Sequence, residues 1–146
     1  MDFYYKLKSK KILVSKTDDY GYHLRMKWEE VFASHLSPKE KKQIYLHSYS
    51  GASGYLWHVF SYEKRKCDKE EQADLAFKKQ YKDTCLIFFQ HSDDVLQVEN
   101  AFDLKAADLL LADAEYADLY VVDQEFTWTY VVTHERGWIG PFFCKK

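Results

Sequence analysis

The chain is poor in the residues that punctuate or staple unusual architectures. Five glycines and two prolines in 146 residues exclude collagen-like and linker-rich organisation. The three cysteines, Cys67, Cys85 and Cys144, are odd in number, widely spaced and without a CxxC pair, so neither a disulfide framework nor a thiolate zinc site is indicated. No stretch approaches the roughly 20 apolar residues of a membrane span, and the N-terminal MDFYYKLKSKK lacks the apolar run of a signal peptide. A cytoplasmic protein with reduced thiols and no membrane association is expected. Internal repeats, low-complexity tracts and the GxSxG, P-loop, GxGxxG and EF-hand patterns are also missing. HExxH fails after His134-Glu135 because position 138 is Trp138.

What is present is core material. Hydrophobic residues make up 47 % and aromatic residues 18 % of the chain, enough for one self-sufficient globular domain over residues 1–146, with residues 1–16 as a peripheral helix and short strand. The net charge of −2 conceals an asymmetry: residues 1–92 carry 17 Lys/Arg against 12 Asp/Glu, whereas residues 93–125 carry Lys105 against ten acids. An acidic block of this kind attracts a basic partner, and its sign disfavours nucleic acid.

Periodicity gives an outline of the elements. Residues 3–10 predict a short helix and Lys11–Val14 a short strand. Leu24, Trp28, Val31, Phe32 and His35 form an inner stripe on a helix at about 20–35, capped by Asp18 or Asp19. Ser37-Pro38-Lys39-Glu40 reads as a capping box with Pro at the first helical position. Tyr55–Tyr62, apolar or aromatic on both alternating faces, reads as a covered strand beside that of Cys85–Phe89. Asp68 and Glu71 predict a second capping box for a helix to Tyr81, with Ala73, Ala76, Phe77 and Tyr81 inward. A hairpin at Gln90–Asp94 leads to Val95–Glu99, Asp103 caps a helix through Leu111, and Leu119–Asp123, Thr127–His134 and Trp138–Phe143 supply further strands. Trp28, Phe32, Leu86, Phe88, Tyr130 and Val132 are the expected core. The fold class is α+β, an antiparallel-dominated sheet of about five or six strands with helices mainly on one face.

Four of the six histidines, His47, His58, His91 and His134, lie in or at the ends of these segments beside aromatic residues. His91 and Asp93, at i and i+2, share one side of an extended chain and with His58 are candidates for a divalent cation or an acid–base pair. His47 and Glu135 complete the candidate catalytic set. On a continuous strand His134 and Glu135 point to opposite faces, so they cannot address one ion without a bulge or turn; His134 reads instead as a buried histidine orienting the turn at Arg136-Gly137. Tyr49, Tyr55 and Trp57 are candidate binding residues of an aromatic groove bordered by the loop 50–54, and Asp94 is a further binding candidate. No cofactor is implied. Cys67, among Lys64, Arg65, Lys66 and Lys69, has the more reactive surroundings of the cysteines, yet it and Cys85 are read as small packing residues.

The segments Tyr45-Leu46-His47-Ser48, Tyr55–Lys64, Phe89–Asp94, Phe126–Tyr130, Thr133-His134-Glu135 and Gly140–Phe143 together resemble the family known as domain of unknown function 4275, over about residues 20–144. The resemblance implies a small, intracellular, single-domain bacterial protein and transfers no reaction, cofactor or catalytic residue. Two functions are weighed. One is a non-catalytic binding or interaction domain, immunity- or antitoxin-like, with an acidic surface for a basic protein. The other is a small hydrolase or metal-assisted enzyme using a His/Asp cluster.

Overall fold

The computed structural model describes residues 2–48 and 53–146. In chain order its elements are α1 (Asp2–Ser9), β1 (Leu13–Thr17), α2 (Gly21–Phe32), α3 (Pro38–Gln43), α4 (His58–Ser61), β2 (Asp68–Lys69), α5 (Glu71–Lys79), β3 (Cys85–Phe89), β4 (Val95–Glu99), α6 (Ala106–Leu109), β5 (Leu119–Asp123), β6 (Trp128–Val132) and β7 (Phe142–Lys145). The strands form one open sheet in the order β1-β4-β3-β5-β6-β7-β2, with every neighbouring pair antiparallel.

The period-two pattern of the strands divides the core in two. Trp128, Tyr130 and Val132 of β6 join Cys85, Ile87 and Phe89 of β3 in a cluster covered by Phe3 and Leu7 of α1, Phe77 of α5 and Leu109 of α6. Val131 and Phe88 face the other way, against Trp28 and Phe32 of α2 and Val59 and Phe60 of α4. Because both faces are covered, the central strands β3 and β5 are near-continuous apolar runs. The α+β class and antiparallel sheet are as expected, but the sheet is larger, with seven strands, and its helices cover both faces instead of gathering mainly on one. Of the expected core residues only Leu86 is not fully buried.

The capping box at Ser37 is formed in both directions, Glu40 N–H donating to Ser37 Oγ at 3.1 Å and Ser37 N–H to Glu40 Oε1 at 3.0 Å. Ser37→Ala removes one acceptor from the start of α3 and should give a small, measurable fall in the urea midpoint. Other expected boundaries move. α2 begins at Gly21 after Tyr20, with no side-chain cap from Asp18 or Asp19, and His35 lies beyond its end, exposed, with Nε2 2.7 Å from the Lys64 carbonyl. Asp68 does not cap α5, because it pairs with Phe143 in edge strand β2. Tyr81 is 80 % exposed instead of inward, since α5 stops at Lys79. There the buried Lys82 folds back to donate to the Phe77 carbonyl at 3.1 Å, covering a helix C-terminal acceptor with a cation. The helix expected from Asp103 to Leu111 is a 3-10 turn, Ala101–Asp103, followed by the single turn of α6.

Two strand assignments are overturned. Tyr55–Tyr62 is a turn leading into α4, so it does not neighbour β3, whose partners are β4 and β5. Leu56, Val59 and Phe60 are buried at i, i+3 and i+4, a helical spacing within an aromatic run that equally fits an alternating strand. Trp138 is 91 % exposed, and the last strand begins only at Phe142, after a turn in which Gly137 and Gly140 take positive φ.

Lysines of residues 6–16 and the acidic block of residues 93–125 meet each other. Lys6 pairs with Asp113 at 3.3 Å, Lys10 with Asp108 at 2.6 Å and Lys16 with Asp94 at 3.9 Å, while Arg25 holds Asp93 at 2.6 Å. Asp123 caps the β5–β6 turn, accepting from the backbone N–H of Thr127 at 2.7 Å and of Trp128 at 3.2 Å. Among the described residues no helix is long and apolar enough to cross a membrane.

Candidate functional site

Three adjacent strands end at one border of the sheet, and their register collects polar residues there. Phe89 pairs with Leu119, and Leu119 with Val132. One step beyond these positions stand Gln90, Asp118 and Thr133, and Gln90 N–H donates to the Asp118 carbonyl at 2.9 Å. Residues 53–62 cross this border. Leu56 N–H donates to Gln90 Oε1 at 3.0 Å and Trp57 N–H to the Tyr120 hydroxyl at 3.2 Å, while that hydroxyl donates to Gln90 Oε1 at 2.5 Å. A Cβ on Gly54 would lie 2.0 Å from the His47 carbonyl carbon, so the crossing chain can approach that closely only as glycine.

Asp118 is the centre of the arrangement. Its Oδ1 accepts from the Trp57 indole N–H at 3.0 Å, from the His134 backbone N–H at 2.9 Å and from His134 Nδ1 at 2.9 Å, with Oδ2 3.1 Å from the same ring nitrogen. A carboxylate accepts and does not donate, so Nδ1 carries the proton and Nε2 of the neutral ring presents a lone pair. The pair is asymmetric in burial: the Asp118 side chain is 7 % exposed and that of His134 39 %. Nε2 lies 3.7 Å from Glu135 Oε1. His134 and Glu135 border a cavity of about 480 Å3 whose other walls include Ser53, Tyr55, His58 and Tyr62.

Aromatic rings build the walls. Tyr55 stacks on Trp57 with ring centres 5.0 Å apart, and it touches three imidazoles: His58 and His91, both edge-on at 5.4 Å, and His134 at 5.1 Å. His58 also packs against Trp57 at 4.7 Å and Tyr62 at 5.3 Å, while its Nδ1 lies 2.8 Å from the Tyr45 carbonyl. Burial, followed by the charges of Asp118 and Glu135, pushes the Tyr55 phenol above its ordinary range, so it remains a proton donor at neutral pH.

Of the residues singled out from sequence, Tyr55, Trp57, His58, His91 and Glu135 are thus brought to one border of the sheet. His47 meets the crossing chain through its backbone at Gly54, but its ring turns to Glu29, with Nε2 2.5 Å from Glu29 Oε1, and Glu29 is also bound by Lys41 at 2.9 Å. Burial pushes Glu29 up, but the hydrogen bonds and charges of Lys41 and His47 outweigh it and hold the carboxyl below its ordinary range. Asp93 is turned toward Arg25, which also donates to the Phe89 and Ser92 carbonyls at 2.9 and 2.7 Å. Asp94 accepts from the Tyr116 hydroxyl at 3.0 Å. Tyr49 and residues 50–52 of the loop lie outside the described residues. No group of three or more His, Cys, Asp or Glu is arranged to hold a metal ion among the described residues, and His91 with Asp93 does not make such a group.

The separation expected of His134 and Glu135 does not hold, because β6 stops at Val132 and the chain turns. Thr133 Oγ1 fixes that turn, donating to the Ile139 carbonyl at 2.7 Å and accepting from Glu135 N–H at 3.2 Å. His134 is accordingly half-exposed at the sheet border and not buried with Trp128 and Tyr130. Asp118 is the functional candidate that sequence reasoning missed. Its one signal is a carboxylate directly before the apolar run Leu119–Val122, where a buried acid requires donors. A model of the family described as domain of unknown function, DUF4275, matches residues 1–143. No curated protein and no solved structure matches the chain.

Proposed function

The chain belongs to the DUF4275 family, which brings no reaction with it, and from the chain's own chemistry we propose a small-molecule site with general acid–base capacity, centred on Asp118 and His134. The observation that supports it is the double hold of Asp118 on His134, through both Nδ1 and the backbone N–H. That hold orients the ring, selects the tautomer and aims Nε2 at the cavity as a proton acceptor. Water or a substrate hydroxyl is the proton source, and the charge left on the ring is balanced by the Asp118 carboxylate. Tyr55 supplies a protonated phenol for an oxygen that gains charge. The Tyr55, Trp57 and Tyr62 rings favour a ligand with a planar part, and Glu135 at the rim favours a neutral or cationic one over an anion. This reading keeps the hydrolase class and moves its polar centre from His91 and Asp93 to Asp118 and His134.

The interaction reading draws on the charge of residues 93–125. Asp93, Asp94, Asp108 and Asp113 are each paired with a lysine or arginine of the same chain, which leaves less charge for a basic partner and makes the cavity the better-supported reading. A panel of ester, amide, phosphomonoester and glycoside chromogenic substrates, with wild type and His134→Gln, provides the test. Turnover of at least one class is expected, lost in the folded variant. In parallel, neutral and cationic ring-bearing fragments should shift the NMR signals of Tyr55 and His134. No turnover and no shift at either residue overturns the reading.

A further inference from the structure

Strand β2 pairs with β7 in a register that sets Asp68 opposite Phe143 and Lys69 opposite Phe142. Continued by one residue, the same register sets Cys67 opposite Cys144. Directly opposed residues of an antiparallel pair have Cα atoms about 4.5–5.5 Å apart and side chains on one face, inside the about 4.4–6.8 Å that a disulfide spans. Both cysteines do pack on the same cluster, the one containing Trp28 and Phe60, and both border one surface cavity of about 700 Å3 together with Lys66, Gln72 and Lys79. Both are free thiols. Cys144 Sγ accepts from Arg65 Nε at 3.0 Å and donates to the Lys145 carbonyl at 3.2 Å. Cys85 is sealed in the opposite cluster, under the other face of the sheet.

We infer that Cys67 and Cys144 form a paired modification site, which a low-molecular-weight disulfide converts into an intramolecular disulfide between β2 and β7. Cys67 is half-buried and Cys144 buried, so Cys67 meets the reagent first. Its thiolate attacks one sulfur of the reagent, the reagent's S–S bond breaks, and one small thiol leaves with the proton that Cys67 gave up. Cys144, beside the Arg65 guanidinium, then attacks the Cys67 sulfur of the mixed disulfide and releases the second small thiol with its own proton. Two protein thiols are oxidised and one reagent disulfide is reduced. Burial pushes the Cys67 thiol up to about 11 with Lys69 opposing, and raises Cys144 with Arg65 opposing. The thiolates are therefore scarce at neutral pH and the conversion is slow.

Incubating the full chain with excess oxidised glutathione, then counting thiols after unfolding and mapping peptides by mass spectrometry, tests the site. Free thiols should fall from three to one, the remaining one being Cys85, with the Cys67 and Cys144 peptides joined and the melting temperature raised. Cys144→Ser should stop at a stable glutathione adduct on Cys67. A wild-type product that stays a glutathione adduct, a disulfide between two chains, or three thiols persisting when the urea-unfolded chain is oxidised under the same conditions would each overturn the inference.

Discussion

Trp28→Ala should lower the unfolding free energy by about 3–5 kcal/mol. The indole has no exposed surface and packs against Phe32, Tyr120 and Phe60 at ring separations of 5.0, 5.3 and 5.7 Å. Its N–H also donates to Thr129 Oγ1 at 2.9 Å across the interface between α2 and the sheet. Thr129 keeps a partner without it, donating to the Val121 carbonyl at 3.1 Å, so the loss is mostly contact area and the cavity left behind. Trp138→Ala is the matched control. With 91 % of its surface in solvent, it should change stability by no more than about 0.5 kcal/mol. Urea denaturation of both variants reads the difference, and equal stabilities would contradict the assignment of α2 to the core.

Asp118→Asn should produce the largest change in the chemistry of the site. The amide oxygen can still accept from Trp57 Nε1 and the His134 backbone, but an amide N–H then faces Nδ1. That N–H, at the Oδ2 position 3.1 Å from Nδ1, opposes a proton on Nδ1, and with the carboxylate charge gone the balance shifts toward a proton on Nε2, the reverse of the wild-type tautomer, although the amide oxygen stays 2.9 Å from Nδ1. A hydrogen bond to a charged group is worth about 1.5–3 kcal/mol, so the lone-pair form at Nε2 should become rarer by about tenfold or more. Nitrogen-15 shifts of the imidazole report the exchange directly, and carbethoxylation of His134 by diethyl pyrocarbonate should slow by a similar factor. Unchanged shifts and rate would mean that Asp118 does not set the tautomer. Asp118→Ala, by contrast, strips the acceptor from three donors and should damage folding as well as chemistry.

What could be read from sequence depended on how local the determinant is. β3, β4 and β5 were legible because buried strands are short apolar runs, and the start of α3 because Ser37, Pro38 and Glu40 act within one turn. The Tyr55–Tyr62 run was misread because residues buried at both helical and strand spacing leave its period undefined until a neighbour is known. The site was legible in part. Tyr55, Trp57 and His58 are conspicuous as an aromatic–histidine group. The Asp118–His134 contact, however, exists only through the registers of Phe89 with Leu119 and Leu119 with Val132, and no spacing in the sequence encodes those. The acidic block was visible as composition, whereas its pairing with Lys6, Lys10, Lys16 and Arg25 is a property of the folded chain.

The order of the strands bears on how the chain is made. β1 is synthesised well before its partner β4, Val14 lying opposite Val98. Phe3 and Leu7 of α1 bury against a cluster that is complete only with Tyr130, Val132 and Phe143. The limb formed by α1 and β1 therefore waits for those later segments with an amphipathic helix and an unpaired strand in solvent, and closing so long a loop makes its docking a late step. Its exposed face is rich in lysine, Lys6, Lys8, Lys10, Lys11 and Lys16, a composition that keeps a waiting segment from associating with other nascent chains.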